Sequence, residues 1–150
     1  MAKFIYRMQN ILDIKYKMEA QAKSHYALMQ AKLNEEQLKL EKMFAHKRYL
    51  EDEYRKMASG SINVRELVEG KRAIDFQRDM IKRQLVDVKV AQKNVDVARA
   101  RLNEMMKDRK THEKLRENAF EDFLLELSAE EKKEIDELVS YKYGTADGEL

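Results

Sequence analysis

A chain of 150 residues is the size of one globular domain, but its composition excludes a thick globular core. Charged residues make up 39% of it, with four glycines, no proline, seven tyrosines, five phenylalanines and no tryptophan, a balance that belongs to long helices. The net charge of +2 selects no partner class, and the absence of cysteine excludes disulfides and thiolate metal sites, as suits a cytosolic protein. With no apolar run near the ~18 residues that a membrane span needs and no signal-like amino terminus, a soluble, unprocessed protein is expected.

In chain order, the first helical pattern covers residues 3–58. Phe4, Met8, Ile11, Lys15, Met18 and Ala22 recur at alternating steps of four and three. One extra step of four leads to Tyr26, and Met29, Leu33, Glu36, Leu40, Met43, Lys47, Leu50, Tyr54 and Met57 resume the alternation. That spacing is a coiled-coil seam interrupted by one stutter at Ala22–Tyr26. Glu19/Lys23, Glu35/Lys39, Glu51/Arg55 and Asp52/Lys56 are placed for ion pairs one turn apart.

Residues 59–62 read as a turn. Gly60 is placed to take a left-handed conformation that closes the first helix, and Asn63 with Glu66 can cap the second. So short a connection makes the helices antiparallel neighbours, and a fold at Gly60 sets residue i level with residue 120 − i. The second helix, 63–127, carries the clearest pattern in the chain: Leu67, Ile74, Ile81, Val88, Val95, Leu102, Arg109, Arg116 and Phe123 at steps of seven. Gly70, Gln77, Gln84, Ala91, Ala98, Met105, His112, Ala119 and Glu126 accompany them.

At Ser128-Ala129-Glu130-Glu131 a capping box predicts a break, a short helix over 129–143 with Ile135, Leu138 and Val139 as its apolar face, and a disordered tail over 145–150. The fold expected is therefore all-α: one domain, 1–150, forming a long antiparallel two-helix coiled-coil hairpin with a short C-terminal helix. Its seam is unusually polar. Lys15, Glu36, Lys47, Gln77, Gln84, Arg109, His112 and Arg116 occupy seam positions, whereas Leu12, Leu28, Leu38, Phe44, Phe76, Val86, Val90 and Val97 fall at or beyond its edges. Apolar residues left outside a two-helix seam suggest a further surface to bind.

Chemistry is absent from the motifs. There is no phosphate-binding loop, none of the three histidines lies one turn from another, and none has a glutamate three residues before it. Carboxylates stand beside Lys and Arg on exposed faces, and a helix pair has no interior from which to exclude water. No catalysis, cofactor, metal or small-molecule substrate is expected. Residues 1–33 and 99–116 each carry a net +4 and overlap at the open end of the expected hairpin, which gives that end a basic collar. A collar of this kind attracts phosphates or steers a protein with acidic loops. Interleaved acids and the lack of a nucleic-acid motif favour the protein, and the apolar stripe is occupied by the partner helix, so membrane insertion is not expected.

The opening Phe4-Ile5-Tyr6-Arg7-Met8-Gln9-Asn10-Ile11-Leu12-Asp13-Ile14-Lys15, followed by Glu19, resembles the start of FliJ proteins of the bacterial flagellar export apparatus. Arg109-Lys110-Thr111-His112-Glu113-Lys114-Leu115 and Glu130-Glu131-Lys132-Lys133-Glu134-Ile135-Asp136-Glu137-Leu138 resemble that family's C-terminal half. The resemblance implies a non-enzymatic stalk like the central subunit of rotary ATPases. Such a stalk inserts into the ring of the export ATPase, FliI, touches the export gate protein, FlhA, and recycles export chaperones at the cytoplasmic face of the membrane. Position and exposed character then nominate Phe4, Arg7, Met8, Ile11, Arg109 and Arg116 for the ATPase, and Leu50, Tyr54, Phe76 and Met80 for the gate. The alternatives are a central stalk of another rotary or secretion ATPase, or a basic coiled coil that binds nucleic acid.

Overall fold

The computed structural model describes residues 3–147, with the side chains of residues 135, 139 and 142–147 outside the description. Two α-helices account for nearly all of it: α1, Gln9–Ser59, and α2, Val64–Asp147, packed antiparallel, with no strand among the described residues. This is the all-α helical hairpin that the spacing implies. It divides into two compact units, one made of Met1–Glu19 and Met105–Leu150, the other of Ala20–Glu104.

Both ends of the turn are fixed by side chains rather than by glycine. The Ser59 hydroxyl donates to the Lys56 carbonyl at 3.1 Å, satisfying one of the acceptors that a helix C-terminus leaves open. Asn63 Oδ1 accepts from the Arg65 amide at 3.1 Å while the Asn63 carbonyl accepts from the Leu67 amide at 3.1 Å, which makes Asn63 the N-cap of α2. Gly60 does not adopt the left-handed conformation expected of it, since no described residue has positive φ, and a Cβ there would lie 3.7 Å from the nearest atom, the Lys56 carbonyl oxygen. Gly70 has a steric role instead. A Cβ on it would come within 3.2 Å of both Met57 and Tyr54, so the missing side chain lets these two residues close the seam nearest the turn.

In the unit Ala20–Glu104 the core follows the predicted seam. Ala22, Leu33, Ile74, Ile81, Ala91, Val95 and Ala98 are buried, Val95 completely, and Tyr26, Met29 and Val88 pack against the Leu33–Ala91–Val95 cluster. Arg99 donates to the Tyr26 hydroxyl at 3.3 Å and lies over its ring, and Leu33 clusters with Ala91. Those partners, and Gly70 beside Tyr54, stand about one helical turn further along α2 than a fold at Gly60 gives. The difference arises because the turn extends through Asn63 and is not centred on Gly60.

Two of the polar seam residues, Gln84 and Gln77, are satisfied by the opposite backbone. Gln84 is 5% exposed, and its Nε2 donates to the Glu36 carbonyl at 3.0 Å and also to the Glu36 carboxylate. One heptad earlier, Gln77 Nε2 donates to the Met43 carbonyl at 3.1 Å. Both amides grip carbonyls that already belong to α1, so each bond forms in only one register of the two helices.

In the unit Met1–Glu19 with Met105–Leu150, the seam differs from expectation. Leu12 is buried, while Met8 and Ile11 are 49% and 40% exposed. With Leu12 in place of Ile11 and Glu19 in place of Met18, the series Leu12, Lys15, Glu19, Ala22, Tyr26 alternates threes and fours, so no stutter is required at Ala22–Tyr26. Glu19 takes a seam position because Arg109 of α2 holds it there. Of the expected one-turn ion pairs, Lys39 meets Glu35, but Glu51 meets Lys47 and Arg78, and Asp52 meets Arg55.

Helix α1 begins at Gln9 and not at Lys3. Residues 3–8 offer no Ser, Thr, Asp or Asn to cap a helix, and α1 has no acid in its first turn. The arm is held instead by the Phe4 ring. At the other end, the break expected at Ser128 is absent: residues 129–143 are helical but continuous with α2, which runs on through Thr145 to Asp147. No Gly or Pro interrupts Leu127–Tyr143, and the Ala, Glu and Lys that follow Ser128 are strong helix formers, so propensity outweighs the capping signal. Of the tail expected to be disordered, Thr145–Asp147 are helical and 148–150 lie outside the described residues.

Candidate functional site: the arm, the carboxylate clamp and the exposed faces

The residues nominated for the ATPase lie in the unit Met1–Glu19 with Met105–Leu150, and they separate into two kinds. Phe4 and Arg109 pack against other residues of the same unit, whereas Arg7, Met8, Ile11 and Arg116 are exposed, Arg116 with its guanidinium over the Phe4 ring. The Phe4 ring meets Phe120 edge-on at 5.1 Å and Phe123 tilted at 5.4 Å, with the Arg116 guanidinium 5.9 Å from its centroid. Aromatic pairs at such spacings gain attraction beyond simple burial, and the cation adds to it. Phe4 therefore fastens the non-helical arm to α2, and the arm presents Ile5, which is 79% exposed.

Arg109 is a clamp. Its Nε and Nη2 donate to the two carboxylate oxygens of Glu19 at 2.7 and 3.2 Å, and its Nη1 donates to Glu113 at 3.1 Å. Glu113 also accepts from the Tyr16 hydroxyl, and Lys15 pairs with Asp108 at 3.4 Å alongside. The fork geometry of a guanidinium suits a bidentate hold on a carboxylate, which a lysine could not make. The hydrogen bond to Glu113 raises the Tyr16 hydroxyl above its ordinary pKa, and the same bond, helped by Arg109, lowers the Glu113 carboxyl. Bonds to Glu19 and then Glu113 keep Arg109 protonated more firmly than an ordinary arginine. His112, the seam histidine, is half-buried with Nδ1 lacking a hydrogen-bond partner among the described residues.

Pairing of Asp108, Glu19 and Glu113 with cations of the same unit neutralises acids that would otherwise offset the collar. Exposed Lys3, Arg7, Lys17, Lys107, Lys110 and Arg116 then outnumber the exposed acid Asp13, with Glu117 paired to Lys114, and set the sign of this surface. A positive, water-facing surface with Met8 and Ile11 set in it can steer and then hold an acidic protein partner.

The residues nominated for the gate lie in the unit Ala20–Glu104. Phe76 is 65% exposed, whereas Leu50, Tyr54 and Met80 are half-buried. Tyr54 lines a shallow groove with Glu51, Arg55, Lys71, Ile74 and Arg78. The four residues do not form one exposed patch, because Tyr54 is turned into the seam beside Gly70. Sequence spacing missed the interaction of Tyr16 with Glu113. The signal available was an acid and an arginine one turn apart on α2, Arg109 and Glu113, facing a tyrosine on α1.

No group of three or more acidic or histidine side chains is placed to hold a metal ion, and no helix is long and apolar enough to cross a membrane, among the described residues. No curated protein matches the sequence. The fold is similar to the solved structure of CT670 from Chlamydia trachomatis, described as a YscO homologue, with a TM-score of 0.77 at 17% identity, covering 99% of this chain and 100% of that one. The sequence itself matches the family described as "Flagellar FliJ protein" over residues 4–148. FliJ proteins are components of the type III export apparatus, and it is to this family that the chain belongs.

Proposed function

We propose that the chain is a non-enzymatic stalk or adaptor of the flagellar type III export apparatus, acting at the cytoplasmic face of the membrane. In this reading it binds the export ATPase and the export gate protein and recycles escort chaperones. The observation that carries it is the family match over residues 4–148. Exposed Arg7, Met8, Ile11 and Arg116 are the contacts assigned to the ATPase, with Phe4 holding the arm in place and Arg109 organising the surface from beneath. Phe76 is the gate contact that solvent reaches most freely, with Met80, Leu50 and Tyr54 supporting it.

The test uses the purified chain and the export ATPase of the same organism. Arg7→Glu with Arg116→Glu is expected to weaken association roughly tenfold or more through loss of steering and contact, with helicity unchanged by circular dichroism. Phe76→Ala should leave that association untouched and reduce capture by the gate protein. Wild-type affinity for the ATPase in the double variant would remove the basic surface from the mechanism. Failure of the wild-type chain to bind the ATPase at all would remove the stalk reading.

A further inference from the structure

Two exposed stripes on α2 share the same spacing over their first four positions and carry opposite charge. The first, in the unit Ala20–Glu104, is Arg83, Val86, Val90, Lys93 and Val97, at steps of three and four along one helix face. Its valines are 58%, 54% and 61% exposed, well outside the seam with α1. The second, in the other unit, runs from Glu121 through Leu124, Ser128 and Glu131 to Glu134 and Leu138, again at helical steps. Leu124 and Leu138 are 46% and 66% exposed. Phe4, the first described aromatic of the arm, meets α2 at Phe120 and Phe123, so no residue of α1 lies further along α2 to cover this second stripe.

Laid side by side, Arg83 and Lys93 fall opposite Glu121 and Glu131, and Val86 opposite Leu124. None of these four charged residues forms an ion pair among the described residues, although other charged residues of α2, such as Arg65, Arg78, Arg109 and Lys114, do. Residues 82–101 hold six basic and two acidic side chains; residues 121–138 hold eight acidic and two basic. The sign of the second stripe opposes an anionic lipid surface, a nucleic acid, or a copy of itself, because like charges desolvated together repel. Both stripes lie on the same helix, α2, at different levels along its sequence, and the pairing considered is between molecules.

We propose that the acidic C-terminal stretch of α2 in one copy docks along the Arg83–Val97 stripe of a second copy. The contact joins unlike surfaces and is a heterologous one, with Val86 against Leu124 as its apolar centre, Val90 beside Ser128, and the four charges setting its register. It covers a few helical turns, so it is weak and strengthened by low ionic strength. The proposal is independent of binding to an export ATPase.

The experiment is sedimentation velocity of the full chain at increasing micromolar concentration, at low salt and at about 0.5 M salt. Wild type is expected to associate with rising concentration at low salt and to remain monomeric at high salt. Arg83→Glu with Lys93→Glu, and separately Glu121→Lys with Glu131→Lys, are each expected to stay monomeric throughout. An equimolar mixture of the two variants should regain association, because each reversed stripe then faces its opposite. All these positions are exposed, so circular dichroism should report unchanged helicity. Three results would overturn the proposal: a monomeric wild type across the whole low-salt range, association undiminished in either variant, or a mixture no more associated than its components.

Discussion

Charged and capping side chains in this protein act through few, identifiable bonds, and single substitutions isolate them. Asn63→Ala removes the acceptor for the Arg65 amide and should cost about 1 kcal/mol, read as a lower denaturant midpoint at constant slope. Gly60→Ala should instead be neutral or stabilising by up to ~1 kcal/mol, since its φ is not positive and the added methyl meets nothing closer than 3.7 Å. The Tyr16–Glu113–Arg109 group gives stability a pH dependence at both extremes. Glu113 titrates below its ordinary value when folded, so its contribution is present above the unfolded carboxyl pKa and is lost as pH falls through the folded one. Tyr16 titrates above its ordinary value, so its contribution is complete below the unfolded phenol pKa and is lost as pH rises through the folded one. Thermal midpoints measured across pH should flatten on the acid side in Glu113→Gln and on the alkaline side in Tyr16→Phe.

At the scale of the helices, packing supplies stability and buried amides supply register. Leu33→Ala, at the centre of the Leu33–Ala91–Val95 cluster, should cost roughly 2–5 kcal/mol because a helix pair has no second layer to close the cavity. Gln84→Leu should have the opposite sign, raising stability by ~1 kcal/mol, read as a higher denaturant midpoint, as an apolar residue replaces a seam amide. The cost should appear elsewhere: spin-label distances between the helices are expected to broaden, since only Gln77 would then select which α1 carbonyl is met. An unchanged distance distribution in Gln84→Leu would show that apolar packing alone fixes the alignment.

The molecule as a whole shows which features a linear pattern transmits. Steps of seven on α2 found its buried face because burial there depends on spacing alone; Ile74, Ile81, Ala91, Val95 and Ala98 all lie on it. On α1 the same method chose Ile11 over Leu12, because the occupant of the neighbouring position, Glu19, is decided by an arginine ninety residues away and not by hydrophobicity. The helix start and the missing break at Ser128 escaped for a related reason. Local capping signals compete with tertiary anchors such as Phe4 and with propensity summed over a turn, and the sequence does not weigh them. Arg109 shows the consequence for function. Its seam position and charge suggested a partner contact, whereas the fork it makes on Glu19 and Glu113 means that Arg109→Glu would place three carboxylates together. That change would disturb its own unit before it reported on any partner.

The connection between Ser59 and Val64 also has a practical consequence. Its residues are solvent-exposed, none has a strained backbone, and the two hydrogen bonds that finish the helices come from Ser59 and Asn63 at its borders. Lengthening a flexible loop is entropically mild, about 0.6 kcal/mol for each doubling. An epitope or fluorophore-accepting peptide spliced between Ser61 and Ile62 should therefore ride on the folded protein as a passenger. It would offer a handle for imaging the protein in living cells without touching either terminus.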